Sequence, residues 1–186
     1  LSNSMALVAD AGHNLSDVLG LAMAWLAASL ATRPPSSRYS YGYKGATILA
    51  SLANAVTLLV AMGALAWEAA QRFYTPVPVE SRTIIMVAAF GIVINLATAM
   101  LFARGRHDDI NIRGAYLHMA ADAAVSAAVV AAGFAILYTG WLWLDPAITL
   151  LIVAIVVWGT WGLLRESLSM SLQAVPRSVD VGSVRK

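Results

Sequence analysis

Apolar residues along this 186-residue chain are gathered into five long blocks, and most polar residues lie between them. The first block ends at "TRPPSSR", where consecutive prolines cannot continue a helix. Each block is long enough to cross a bilayer, which takes about 20 residues in a helix. The pattern therefore predicts five membrane-spanning helices, at about residues 5–31, 46–67, 83–103, 114–138 and 146–164.

Composition supports an integral membrane protein of the all-α class. The chain is 60% hydrophobic and 12% charged, whereas soluble domains carry about 25% charged residues. It contains no cysteine, which excludes disulfides and thiolate metal sites. The net charge of +2 comes from basic residues in short loops, so we expect membrane lipid and no nucleic acid as a partner.

Loop charge predicts the orientation of the helices. Ten of the twelve basic residues lie on one side of the predicted spans, and the positive-inside rule makes that side cytoplasmic. The carboxyl terminus is then cytoplasmic, and an odd number of spans starting outside suggests that one further helix precedes them. We expect residues 1–175 to form a transmembrane domain and residues 176–186 to begin a truncated cytoplasmic domain.

Two pairs of ionisable residues lie inside the apolar blocks. His13 and Asp17 are four residues apart in the first block, and His118 and Asp122 are four apart in the fourth, so each pair shares one helix face. A charged group at bilayer depth costs about 2.5–3.5 kcal/mol, which makes such residues candidates for function. Two imidazoles and two carboxylates are a ligand set that tetrahedral Zn²⁺ accepts.

Four other residues are candidates for a secondary or entrance site. Asp10 lies one turn before His13 and is interpreted as a solvated cap or an entrance charge, with direct metal ligation as the less favoured alternative. The loop residues His107, Asp108 and Asp109 would form a weak cytoplasmic metal site or a solvated run of charges.

The remaining polar residues of the spans have structural interpretations. Asn54 and Asn95 are predicted to make polar packing contacts between helices. Glu68 is predicted to be interfacial, and Asp145, which precedes Pro146, is predicted to cap the fifth helix.

Three stretches carry a resemblance to a known family. They are "NSMALVADAGHNLSDVLGLAMAWLA", "RYSYGYKGATILASLANA" and "DINIRGAYLHMAADAAVS", and they resemble the cation diffusion facilitator family of zinc exporters. The resemblance implies a six-helix transmembrane bundle whose first helix is missing here, with His13, Asp17, His118 and Asp122 as the metal ligands. It also implies a homodimer in the bacterial inner membrane that exchanges cytoplasmic metal for protons.

The substrate follows from the same comparison. A histidine at position 13 resembles the zinc-preferring members, so Zn²⁺ is the expected transported substrate, protons are the counter-ion, and Cd²⁺ and Co²⁺ are further candidates. The hypothesis is a secondary transporter, not an enzyme, that works by alternating access. Two alternatives stay open: an intramembrane zinc-dependent hydrolase, and a proton-coupled transporter of a non-metal substrate.

Overall fold

The computed structural model describes residues 3–36, 42–104 and 110–174, with side chains from Ile112 onwards in the third stretch. Within these stretches the chain is helical and contains no strand. Five α-helices follow one another: α1 (Met5–Ala31), α2 (Ala46–Tyr74), α3 (Ser81–Phe102), α4 (Ile110–Thr139) and α5 (Leu144–Ser171). Each is long and apolar enough to cross a membrane, which confirms the predicted all-helical membrane fold.

Two helices extend well beyond the ends of the apolar blocks that predicted them. α2 continues to Tyr74 rather than ending at Trp67, and α5 continues to Ser171 rather than ending at Leu164. At the end of α2, Arg72 Nη2 donates to Glu68 Oε1 at 2.9 Å, one turn earlier. Hydropathy marks the segment within hydrocarbon, whereas the helical hydrogen bonds continue into the polar boundary region.

The described residues divide into two compact units. The first takes its residues from Leu1–Leu15 and Ala61–Val156, and the second from Ser16–Val60 and Val157–Lys186. In the first unit α3 packs closely on α4. A Cβ atom at Gly133 of α4 would lie only 2.8 Å from Ile85 Cγ1 of α3. In the second unit α1 approaches α2 at Gly20, where a Cβ atom would lie 2.8 Å from Asn54 Nδ2. Small residues permit such close helix packing.

Large apolar side chains are exposed along the helices, as expected for surfaces that face lipid. Trp158 is 85% exposed and Trp25 is 73% exposed. Many of the buried apolar residues are small, including Ala6, Ala9 and Ala55. Burial in this protein therefore reflects close contact between helices, and the apolar exterior is left to the lipid.

Candidate metal centre

On α4, His118 and Asp122 share one face, as their spacing predicts. The distance from His118 Nε2 to Asp122 Oδ2 is 3.6 Å. The Asp122 side chain is only 5% exposed, whereas that of His118 is 48% exposed. The pair therefore combines a deeply buried carboxylate with a half-exposed imidazole.

α1 contributes His13 to the same carboxylate. The distance from His13 Nε2 to Asp122 Oδ1 is 3.5 Å, and the side chain of His13 is 14% exposed. The His13 and His118 rings are perpendicular, with their centroids 6.2 Å apart. Asp122 thus has one imidazole on each side, one from α1 and one from its own helix.

Asp17 lies one turn after His13 on α1. Ligand atoms of His13 and Asp122 are within 4.8 Å of each other. Asp17 belongs to the second unit of the chain, while the other three predicted ligands belong to the first. On α1, the four-residue spacing places Asp17 on the same helix face as His13.

The distances around Asp122 suit a shared cation better than direct hydrogen bonds. Both imidazole–carboxylate separations, 3.5 and 3.6 Å, exceed the usual limit of about 3.2 Å for a nitrogen–oxygen hydrogen bond. Two atoms bound tetrahedrally to Zn²⁺ at about 2.0–2.1 Å lie about 3.3–3.4 Å apart. The two separations end on different oxygens of Asp122, and each is close to that edge length. Each imidazole is therefore at a spacing compatible with sharing a cation with this carboxylate.

Asp122 also has an oxygen without a hydrogen bond. Its Oδ2 atom is buried and accepts no hydrogen bond from the described residues. A buried polar atom left in this state costs about 1–3 kcal/mol, and more when the group is charged. A cation bound to this oxygen would offset that cost, so the burial of Asp122 is consistent with a role in binding a cation.

Asp10 is buried, so the prediction that it is a solvated cap is wrong. Only 4% of the residue is exposed, and Ser126 Oγ on α4 lies 3.1 Å from both of its carboxylate oxygens. The sequence placed Asp10 on the correct face of α1, but it did not indicate Ser126 as a partner. The available signal was weak: Ser126 lies one helical turn beyond Asp122.

Asp145 caps a different helix from the predicted one. Its carboxylate accepts hydrogen bonds from Ser4 Oγ and from the backbone N–H groups of Met5, at 2.9 Å, and Ala6, at 3.3 Å. It therefore caps the start of α1, because the first N–H groups of a helix have no partner within the helix. Arg72 Nη1 lies 3.8 Å from Asp145 Oδ2 and also donates to the Asn3 carbonyl.

The other predicted polar residues have separate positions. Asn54 packs against Gly20, whereas Asn95 is buried and its Nδ2 finds no hydrogen-bond acceptor among the described residues. Glu68 pairs with Arg72 at an exposed position. The loop candidates lie outside the described residues: His107, Asp108 and Asp109.

A family comparison decides what kind of domain carries this centre. The model of the cation efflux transmembrane domain matches residues 1–170. The chain belongs to the cation efflux family. The match confirms the resemblance to cation diffusion facilitators. It also shows that this cation efflux domain is a transmembrane domain.

Several curated proteins are similar to this cation efflux domain. It is 38% identical over 187 residues to the zinc transporter ZitB of Pectobacterium atrosepticum. It is 37% identical over 186 residues to the metal cation efflux system protein CzcD of Cupriavidus metallidurans. It is 32% identical over 186 residues to the cadmium, cobalt and zinc/H(+)-K(+) antiporter of Bacillus subtilis. These matches cover 99–100% of the chain but only 58–60% of the relatives.

Proposed function

We propose that this chain forms the metal-transporting part of a divalent cation exporter, with Zn²⁺ as its main substrate and protons as the counter-ion. His13, Asp17, His118 and Asp122 would be the four ligands. The observation that carries the proposal is the meeting of His13 and His118 on Asp122, at 3.5 and 3.6 Å, inside a helical membrane domain. The names of the similar proteins, a zinc transporter and a metal cation efflux protein among them, support the same substrate class.

The ligand set accounts for coupling to protons. Metal binding requires neutral imidazoles and ionised carboxylates, so uptake of the cation releases protons and acid weakens binding. Free imidazole changes its charge near pH 6.5, which lies within the physiological range. A site that alternates between the two sides of the membrane would therefore exchange one cation for protons.

Orientation and assembly complete the proposal. The excess of basic residues on one side of the helices favours a cytoplasmic carboxyl terminus, in the inner membrane of a bacterium. Metal would then enter from the cytoplasm and leave at the side where α1 begins. We place the protein in a homodimer, as the family resemblance implies, and chemical cross-linking in native membranes tests that point.

The transport proposal is tested in vesicles that contain the purified protein and a pH-sensitive dye. Addition of Zn²⁺ should cause a proton flux with the unchanged protein and none with Asp122→Ala. Glu166→Ala is the control, because Glu166 is an exposed carboxylate near the end of α5. A normal zinc-driven proton flux in Asp122→Ala would contradict the proposal.

A further inference from the structure

Asp10 and Ser126 form a second polar contact between α1 and α4, next to the proposed metal site. The hydroxyl of Ser126 lies 3.1 Å from both carboxylate oxygens of Asp10. Asp10 is 4% exposed and Ser126 is fully buried. A buried hydrogen bond of this kind is electrostatically stronger than one exposed to water.

The order of the contacts along the two helices gives this pair its significance. Asp10 precedes His13 by three residues on α1, and Ser126 follows Asp122 by four residues on α4. The contact between Asp10 and Ser126 and the contact between His13 and Asp122 are therefore successive steps of one antiparallel helix pair. A shift of α1 along α4 would break both contacts together.

Small buried residues next to these contacts in the sequence do not fix a register by their shape. Ala9 follows this pattern on α1 and Ala123 on α4, and such small side chains allow helices to pack closely without interlocking. One residue of sliding displaces a helix by about 1.5 Å. Because metal–ligand bonds are about 2.0–2.2 Å long, that displacement would remove His13 from the metal site.

α3 encloses the same pair. A Cβ atom at Gly91 would lie 3.4 Å from Ser126 Oγ and 3.9 Å from Asp10 Oδ2. The glycine therefore allows α3 to approach the hydrogen bond closely. Close approach of α3 protects the contact from lipid and from competing donors.

We infer that the hydrogen bond between Ser126 and Asp10 sets the register of α1 against α4 and thereby positions His13 opposite Asp122. Asp10 is then a positioning residue and not a metal ligand. The inference rests on the proposed function, since the register matters only if His13 and Asp122 bind the same ion. It predicts that the hydrogen-bonding ability of Asp10 is needed, whereas its charge is not.

The test uses Co²⁺ as the probe, because its visible absorption depends on coordination geometry, together with Zn²⁺ competition for affinity. Ser126→Ala and Asp10→Ala should each weaken Zn²⁺ binding about tenfold, a loss typical of residues that orient metal ligands. Both should also reduce the tetrahedral Co²⁺ bands. Asp10→Asn should restore binding to within about twofold, because its amide oxygen still accepts the serine hydrogen bond.

Ser81→Ala is the matched control, since Ser81 is a buried serine at the start of α3. It should leave both the affinity and the Co²⁺ spectrum unchanged. Folding of each variant is checked by circular dichroism, and Ser126→Ala, which removes a single oxygen, is the variant expected to perturb folding least.

Each outcome of this test has a definite meaning. Equal damage from Asp10→Asn and Asp10→Ala, with Ser126→Ala harmless, would overturn the inference by assigning Asp10 a charge or ligand role. Binding by every variant at the level of the unchanged protein would also overturn it, while leaving the proposed function intact. Failure of the unchanged protein to bind Co²⁺ or Zn²⁺ would overturn both.

Discussion

Two buried carboxylates of the first unit, Asp122 and Asp145, have opposite surroundings. Asp145 is 2% exposed and is saturated by donors, which are a serine hydroxyl and two backbone N–H groups, with an arginine nearby. Asp122 is 4% exposed, faces two imidazoles beyond hydrogen-bond distance, and has an oxygen that accepts no hydrogen bond from the described residues.

The contrast separates a carboxylate with a structural role from the proposed metal ligand. A carboxylate whose lone pairs are occupied by fixed donors stabilises the fold, and an added cation would have to displace those donors. A carboxylate with unused binding capacity, beside two imidazoles, is suited to bind and release a cation. Burial alone does not distinguish the two, but the partners do.

The largest expected effect is the loss of metal binding in Asp122→Asn. The change keeps the shape of the side chain and removes its charge, so Zn²⁺ affinity should fall by at least about 100-fold, beyond the range typical of indirect effects on a metal site. The thermal stability of the metal-free protein should be unchanged or higher, because a carboxylate with an unused oxygen is removed. Isothermal titration and thermal melts measure the two quantities, and a marked drop in melting temperature would make Asp122 structural.

Asp145→Asn should show the reverse. The amide keeps one acceptor oxygen but loses the charge-assisted hydrogen bonds to the start of α1 and the attraction of Arg72. We expect a loss of about 2 kcal/mol in the free energy of unfolding, which lowers the melting temperature by about 5 °C. The Zn²⁺ affinity of the folded variant should stay within about twofold of that of the unchanged protein. A tenfold loss would contradict the assignment of a purely structural role to Asp145.

The pH dependence of Zn²⁺ affinity provides a further comparison between the metal site and the Asp145 cap. Protons compete with the metal for imidazole and carboxylate ligands, so Zn²⁺ affinity should fall by at least about tenfold as the pH is lowered from 8 to 5. Asp145→Asn should give a curve of the same shape. An affinity that is independent of pH between 5 and 8 would exclude imidazole ligands.

The smallest effect is expected for Glu68→Ala. Glu68 is 53% exposed and pairs with Arg72 at 2.9 Å on the same helix, and exposed ion pairs of this spacing contribute about 0.3–0.5 kcal/mol. The melting temperature should fall by less than about 2 °C. A loss as large as that of Asp145→Asn would mean that Arg72 depends on Glu68 to hold the cap of α1.

The sequence predicted the elements whose signals are local. Long apolar blocks located all five helices, because lipid leaves the backbone few other ways to satisfy its hydrogen bonds. The spacing of His118 and Asp122 placed them on one face, as the structure confirms. Helix ends were less well predicted, since hydropathy follows the hydrocarbon layer and the helices extend beyond it.

Contacts between distant residues were not predictable in this way. Asp145 lies 140 residues after Met5 in the chain, and nothing in its local sequence indicates that it caps α1 rather than its own helix. The burial of Asp10 likewise depends on Ser126, which is 116 residues away. Such pairings are fixed by which helices become neighbours, and helical periodicity does not specify that.

The most direct test of the account is the X-ray absorption spectrum of the protein loaded with one equivalent of Zn²⁺. The account predicts four nitrogen and oxygen ligands at about 2.0–2.1 Å, with the scattering pattern of two imidazoles, one of which disappears in His13→Ala. A spectrum without imidazole scattering, or one that His13→Ala leaves unchanged, would contradict the central claim.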